Sequence, residues 1–324
     1  MKLLLKTLFG LLISIGMLLL VVLVLFGHRD ITLEELKKKY ASSDSKFISI
    51  QEMNVHYKDE GAKSDTVPLV LIHGTGSSLH TYDAWAEQLM SERRVVRMDL
   101  PGYGLTGPFP SGNYSITHYV DFLEKFLSDL QIRKCTLVGN SLGGRIAWSF
   151  TLEYPEMVDQ LILIDAAGYT GKSKSMPLAF KLAKIPVLKN ILTFITPRSI
   201  ARSSVENVYA DKSKVTNELA DRYFELTLRE GNRQAFIDRF SVSSDTTAFR
   251  EIKSIQQPTL ILWGEEDNLI PVEMAYRFHN DLPNSTMVIL KNTGHVPMEE
   301  SPNESLEAVK QFLTDQEMKS TFIR

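Results

Sequence analysis

Cysteine is nearly absent from this chain. Its 324 residues hold one, Cys135, so no intrachain disulfide and no cysteine-built metal site can form. Its place at the start of an apolar run predicts a buried, unreactive thiol. Charge of one sign is lacking too: 36 Lys plus Arg against 39 Asp plus Glu leave a net of −3. There is no basic excess to attract nucleic acid, and no basic-aromatic sheet motif that would reverse that reading. Proline is sparse at 13 residues while 44% of the chain is hydrophobic, which argues against wholesale disorder and allows one sizeable domain plus an insertion. Internal repeats and low-complexity tracts are missing.

One uninterrupted apolar run is present. Leu8 to Gly27 gives 20 residues without a charge, which as a helix covers roughly 30 Å, the hydrocarbon thickness of a bilayer. A cleaved signal peptide fits less well, because the run is long and Leu25-Phe26-Gly27-His28-Arg29-Asp30 has no small-x-small site. The expectation is an uncleaved signal-anchor in a single-pass membrane protein. Lys2 and Lys6 precede the run and by the positive-inside tendency keep the N-terminus on the cytoplasmic side, so the rest of the chain is expected on the other. Arg29 and Lys37 to Lys39, just beyond the run, pull against that orientation.

Residues 28–46 read as a charged juxtamembrane connector. Within it Thr32 and Glu35 have capping-box spacing for a short helix over Thr32 to Tyr40. Phe47 to Ile50 and Val55 to Tyr57 alternate as two paired strands across a turn at Glu52-Met53-Asn54. Short continuous apolar runs follow: Pro68 to Ile72, Val95 to Met98, Cys135 to Val138, Leu161 to Ile164, Thr259 to Trp263 and Thr286 to Leu290. Continuous apolarity means burial on both faces, and helical intervals mean crossovers in a mostly parallel sheet. The fold class is α/β. From about residue 167 to 250 the pattern turns helical, broken by Pro177, Pro186 and Pro197, as expected of an insertion over the ligand-binding end of the sheet.

Gly139-Asn140-Ser141-Leu142-Gly143 matches G-x-S-x-G after a buried strand and before a helix pattern ending ahead of Pro155. A tight strand-to-helix turn strains the serine backbone, and Gly139 and Gly143 must be small to pass each other. The bland alternative is a glycine-rich turn with an incidental serine. A serine hydroxyl needs a base, and the base needs an orienting acid. Asp267, after Leu260 to Gly264, is the better candidate acid; Asp165, ending the run Leu161 to Ile164, is the reserve. His295, after Asn292-Thr293-Gly294, is the candidate base. His73-Gly74-Thr75-Gly76-Ser77-Ser78 supplies flexible backbone for an oxyanion hole, with the Thr75 and Leu142 N–H groups as the donor pair. No Gly-Lys-Ser/Thr follows that segment, which counts against a phosphate loop there. His73 and Gly74 read as supporting residues, His73 as a structural hydrogen-bonding side chain.

Taken together the sequence resembles an α/β-hydrolase-fold serine hydrolase. The resemblance rests on HGTGSS at 73–78, MDLPGYGLTGP at 98–108, LVGNSLGG at 137–144, LILIDAAG at 161–168, PTLILWGEEDNLIP at 258–271 and NTGHVPMEESP at 292–302. It covers Phe47 to about Leu313. It implies a core over 47–166 and 251–316, a helical cap over 167–250, and a mechanism without cofactor or metal. In that mechanism Ser141 attacks, His295 shuttles the proton and Asp267 orients His295. A serine at the elbow disfavours the dehalogenase and epoxide-hydrolase branches, which use aspartate there. Gly-Asn-Ser-Leu-Gly departs from the proline iminopeptidase pattern.

Carbon-carbon bond hydrolases of ring-cleavage products carry a similar Gly-Asn-Ser-Met-Gly-Gly and are soluble. The apolar N-terminus therefore moves the expectation toward carboxylic esters, of lipid-like or acylglycerol type, with the carbon-carbon hydrolase as the alternative. A non-catalytic hydrolase-fold binding protein is the third reading. The cap strengthens the lipid reading. Residues 167–250 hold 14 Lys plus Arg against 8 Asp plus Glu. From Ala167 to Val205 there are seven basic residues and no acid, mixed with Phe180, Leu182, Ile185, Leu188, Ile191, Leu192, Phe194 and Ile195. Such a stretch suits an anionic membrane surface, or else lines the pocket and packs on the core.

Overall fold

The computed structural model describes residues 2–185, 189, 193–242 and 247–322, the side chains of 2, 3, 12, 15, 18–20, 22 and 320–322 excepted. Eight strands form one sheet: β1 (Lys46–Ile50), β2 (Met53–Glu60), β3 (Leu69–Ile72), β4 (Val95–Met98), β5 (Cys135–Asn140), β6 (Val158–Ile164), β7 (Thr259–Gly264) and β8 (Ser285–Leu290). Their order is β1-β2-β4-β3-β5-β6-β7-β8. β2 runs antiparallel to both β1 and β4, and every other neighbouring pair is parallel.

The apolar runs become strands because both faces of the sheet are covered. On β3, Val70 and Ile72 join one core cluster with Phe122, Phe126, Ile146 and Phe150, while Leu69 and Leu71 join another with Trp85, Leu89, Val309 and Phe312. Alternating side chains thus enter different helix layers. Cys135 lies in this core, and burial pushes its thiol up to about 12, as the sequence led us to expect. The β1–β2 turn differs from expectation. Gln51 and Glu52 alone form it, both at positive φ (48° and 65°), while Met53 and Asn54 already pair with Ile50 and Ser49. A two-residue turn with two left-handed positions matches the twist of its strands, which a three-residue turn does not need.

The helix Leu33–Tyr40 carries the expected capping box: Glu35 N donates to Thr32 Oγ1 at 3.3 Å, and Thr32 N donates to Glu35 Oε2 at 3.2 Å. The segment is more than a connector. Leu36 is buried, Lys39 pairs with Glu225, Ile31 N donates to Leu228 O at 2.8 Å, and Arg233 Nη2 reaches both His28 O and Asp30 Oδ1. It straps the N-terminal helix Lys2–Phe26 to the inserted region. Among the described residues no helix is long and apolar enough to cross a membrane. The span expected over 8–27 includes 12, 15, 18–20 and 22, whose side chains lie outside the described residues.

Between β6 and β7 the chain forms helices Leu178–Ala183, Arg198–Val208, Asn217–Thr227 and Asn232–Ser241. Pro177 and Pro197 do not interrupt helices but stand directly before two of them, where a missing N–H costs nothing. Of the basic, apolar stretch, Phe180 turns inward onto Phe236 and Phe240 at centroid distances of 5.6 and 4.9 Å. Leu178, Ile185 and Phe194 are exposed. Pro186, Leu188, Ile191 and Leu192 lie outside the described residues.

Candidate active site

Ser141 sits between the end of β5 and the helix Leu142–Glu153, with φ 54° and ψ −112°. A non-glycine residue there is strained, and the surroundings hold it. Ser141 N donates to Ile164 O at 3.0 Å, and its carbonyl accepts from Arg145 N and Ala167 N. The flanking glycines leave no room for side chains: a Cβ on Gly139 would lie 2.3 Å from Gly143 O, and one on Gly143 would lie 2.1 Å from Ile72 O. The helix begins at Leu142, whose N–H has no intrahelical acceptor.

Three further segments converge on the elbow. The Gly74 backbone passes so near that a Cβ there would stand 3.0 Å from Ser141 Cβ, which brings Thr75 beside it. His73 is buried and its Nδ1 donates to Gly74 O at 2.8 Å, while its Nε2 accepts from Leu100 N at 2.9 Å. Both ring nitrogens are thereby used in a neutral ring whose pKa burial lowers. The His73 ring ties the Gly74 carbonyl to the Leu100 N–H.

Asp267 and His295 meet directly. His295 Nδ1 lies 2.6 Å from Asp267 Oδ2, and both side chains are buried. Asp267 Oδ1 accepts from Leu269 N at 2.8 Å and Ile270 N at 3.0 Å, so backbone donors hold the carboxylate. Asn140 Nδ2 donates to the His295 carbonyl at 2.9 Å, fixing the histidine loop to the residue before the serine. Ser141 Oγ makes no hydrogen bond to His295 among the described residues; such bonds commonly close only when substrate arrives. Glu265 and Glu266 stay in the exposed turn.

The reserve acid is also here. Asp165, at φ 44°, is fully buried; its Oδ1 accepts from Gly264 N at 3.0 Å, and its Oδ2 is buried without a partner. One ligand atom each from Asp165, Asp267 and His295 falls within 4.8 Å of the others. A metal does not suit them: two ligands about 2.0–2.2 Å from one tetrahedral ion stand more than about 3 Å apart, and Asp267 and His295 are at hydrogen-bond distance.

An apolar cleft opens beside the loop 73–78. Thr75 and Gly76 form one wall, and residues of the inserted region, among them Phe180, Ile200, Ala201 and Phe236, line the rest. Sequence reasoning passed over Tyr223, which lines the cleft while its hydroxyl donates to Glu299 Oε2 at 2.8 Å and stands 3.3 Å from Ser77 Oγ. It also passed over Glu300, which takes Gly294 N at 2.6 Å and Asp211 N at 2.7 Å and so ties the histidine loop to the insertion. Glu299 and Glu300 stand inside the quoted 292–302 segment, but Tyr223 and Asp211, their partners in the insertion, are remote in sequence.

The family model for the alpha/beta hydrolase fold matches residues 67–302. A 2-hydroxy-6-oxo-2,4-heptadienoate hydrolase of Pseudomonas putida is 28% identical over 271 residues, covering 81% of this chain and 92% of its own. Among solved structures, a meta-cleavage product hydrolase from Pseudomonas fluorescens superposes with a TM-score of 0.71 at 26% identity, covering 84% of this chain and 98% of that one. A membrane phospholipase A superposes with a TM-score of 0.70 at 25% identity, covering 97% and 98%.

Proposed function

The chain belongs to the α/β-hydrolase fold family, and from that premise we propose that it cleaves carboxylic esters of lipid-like acids through a serine acyl-enzyme. Ser141 Oγ attacks the ester carbonyl carbon as His295 takes its proton, and the Thr75 and Leu142 N–H groups receive the oxyanion. His295 returns the proton to the departing alcohol, then draws one from water to release the acid. Asp267, hydrogen-bonded to Nδ1, keeps the other ring nitrogen free to accept. The observation that carries the reading is the apolar cleft walled by Thr75 and Gly76: it offers an acyl chain a place beside Thr75, one of the two candidate oxyanion donors.

Fluorophosphonate labelling of the wild type and of Ser141→Ala tests the nucleophile, and turnover of p-nitrophenyl esters of graded acyl length tests the substrate class. Label that survives in the variant sinks the assignment of Ser141. The carbon-carbon hydrolase reading is favoured by the similarity to the 2-hydroxy-6-oxo-2,4-heptadienoate hydrolase and the meta-cleavage product hydrolase. It expects turnover of vinylogous diketone acids and little on p-nitrophenyl esters.

Residues 8–27 are proposed to anchor the protein in a membrane, with the catalytic domain on the non-cytoplasmic side. Two observations support the anchor. The described side chains of Lys2–Phe26 are exposed, including Leu11, Met17, Leu23 and Leu25. The helix end also meets exposed Phe194, where His28 N donates to Phe194 O at 3.3 Å, so apolar surface continues from helix to insertion. Alkaline carbonate extraction of the full chain is the test: retention in the membrane pellet agrees, and release of the full chain overturns it.

A further inference from the structure

We propose that Asp165 is a positioning residue, a neutral carboxylic acid whose proton is donated to the Asp267 carboxylate, extending the Ser141, His295 and Asp267 arrangement by a fourth member. This rests on the serine-hydrolase reading above.

The geometry leaves few choices. Asp165 terminates β6 and Asp267 follows β7, the adjacent parallel strand, so both carboxyls emerge at the same sheet edge. Two carboxylates so close and so buried cannot both be ionised; one must hold a proton. The bonding of each says which one. Asp267 already accepts three donors, Leu269 N, Ile270 N and His295 Nδ1, an environment that favours the anion. Asp165 accepts one, Gly264 N on Oδ1, and its Oδ2 is buried without any donor. An orphan carboxylate oxygen is costly; an orphan that is a hydroxyl facing Asp267 is satisfied. Burial first, and then the neighbouring charge of Asp267 with a lesser contribution from Glu300, push the Asp165 carboxyl well above its ordinary range.

The consequence is mechanical and electrostatic. Asp267 gains a contact beyond those with His295 Nδ1, Leu269 N and Ile270 N, which further keeps it from swinging away from Nδ1. The shared proton also holds the pair at a single negative charge, matching the single positive charge His295 takes on when it accepts the serine proton.

Asparagine is the isostere of the protonated acid, with Oδ1 for Gly264 N and an N–H for Asp267. Asp165→Ala is expected to lower kcat about tenfold to a hundredfold, the scale of one lost hydrogen bond to a charged group, with KM moved far less. Asp165→Asn regains kcat to within about threefold of wild type, whereas Asp267→Asn loses about 10⁴-fold, as for a triad acid. Should Asp165→Asn be the crippled variant and Asp267→Asn the tolerated one, Asp165 is the ionised acid and the proposal is overturned.

Because Asp165→Ala could fail to fold, infrared spectra supply a second readout. A protonated-carboxyl C=O band is expected in the wild type at neutral pH and is absent from Asp165→Asn. A wild type without the band, or a band that survives Asp165→Asn, overturns the assignment. This readout needs no turnover, so an active Ser141→Ala variant would remove the serine-hydrolase reading and leave the proton on Asp165 untouched.

Discussion

Asn140 Nδ2 donates to the carbonyl oxygen of His295 at 2.9 Å, and to that of Ile164 at 3.2 Å. One amide thus joins the end of β5, the end of β6 and the histidine loop. Asn140→Ala leaves the His295 carbonyl short of its donor, which costs about 1–3 kcal/mol when buried, and frees the imidazole to drift relative to Ser141, while Ile164 O keeps the Ser141 N–H. The expected result is a kcat lower by about tenfold or more with KM little changed, alongside a lower Tm. A KM-dominated effect would assign Asn140 to substrate binding instead.

Gly143 is where the elbow permits least. A methyl added there lies 2.1 Å from Ile72 O and 2.8 Å from His73 O, both backbone atoms of β3 and its loop that cannot rotate away. Gly143→Ala is expected to destabilise by roughly 3 kcal/mol or more, the upper end for overpacking, with loss of soluble protein. Thermal melts against wild type decide it, and a change within about 0.5 kcal/mol, the range of ordinary surface substitutions, would show that the elbow has slack.

The sheet was legible because burial on both faces leaves continuous apolar runs: Val95–Met98 is bounded as expected, and the other five runs differ by a few residues at their ends. The elbow and the meeting of Asp267 with His295 were legible because local glycines and chain order carry them. The N-terminal strap was not. Its contacts, Lys39 to Glu225 and Arg233 to Asp30, join residues 186 and 203 positions apart, and exposed-looking charges give no sign of their partners. The same limit hid Glu300 and Tyr223. Asp165 was visible as an acid at a strand end, but a choice between two acids conceals a pair in which both take part.

The Asp165 carboxyl also makes a stability prediction. Unfolded, it titrates near about 3.9; folded, burial beside Asp267 raises its pKa. Above the unfolded value and below the folded one, the native state holds one more proton than the unfolded chain, so this group lowers stability by about 1.4 kcal/mol per pH unit. Its contribution is greatest below about pH 4 and is lost as pH rises. Asp165→Asn has no such proton. The difference in unfolding free energy, variant minus wild type, should therefore grow as pH rises from about 4 toward neutrality. A difference that is flat with pH would reject the raised pKa.

Ala201 offers the cleanest test of the cleft, because it lines the apolar wall and belongs to none of the hydrogen-bonded groups around Ser141. Phenylalanine there fills part of the cleft without introducing a polar atom. An acyl chain that enters past Thr75 loses its buried methylenes one by one, each worth about 0.8 kcal/mol. Four excluded methylenes thus cost on the order of a hundredfold in kcat/KM. Ala201→Phe is expected to lower kcat/KM for long-chain p-nitrophenyl esters by that order and for the acetate by less than about threefold. An equal loss on both would place the acyl chain elsewhere, because a wall that only the long chain touches cannot slow the short one.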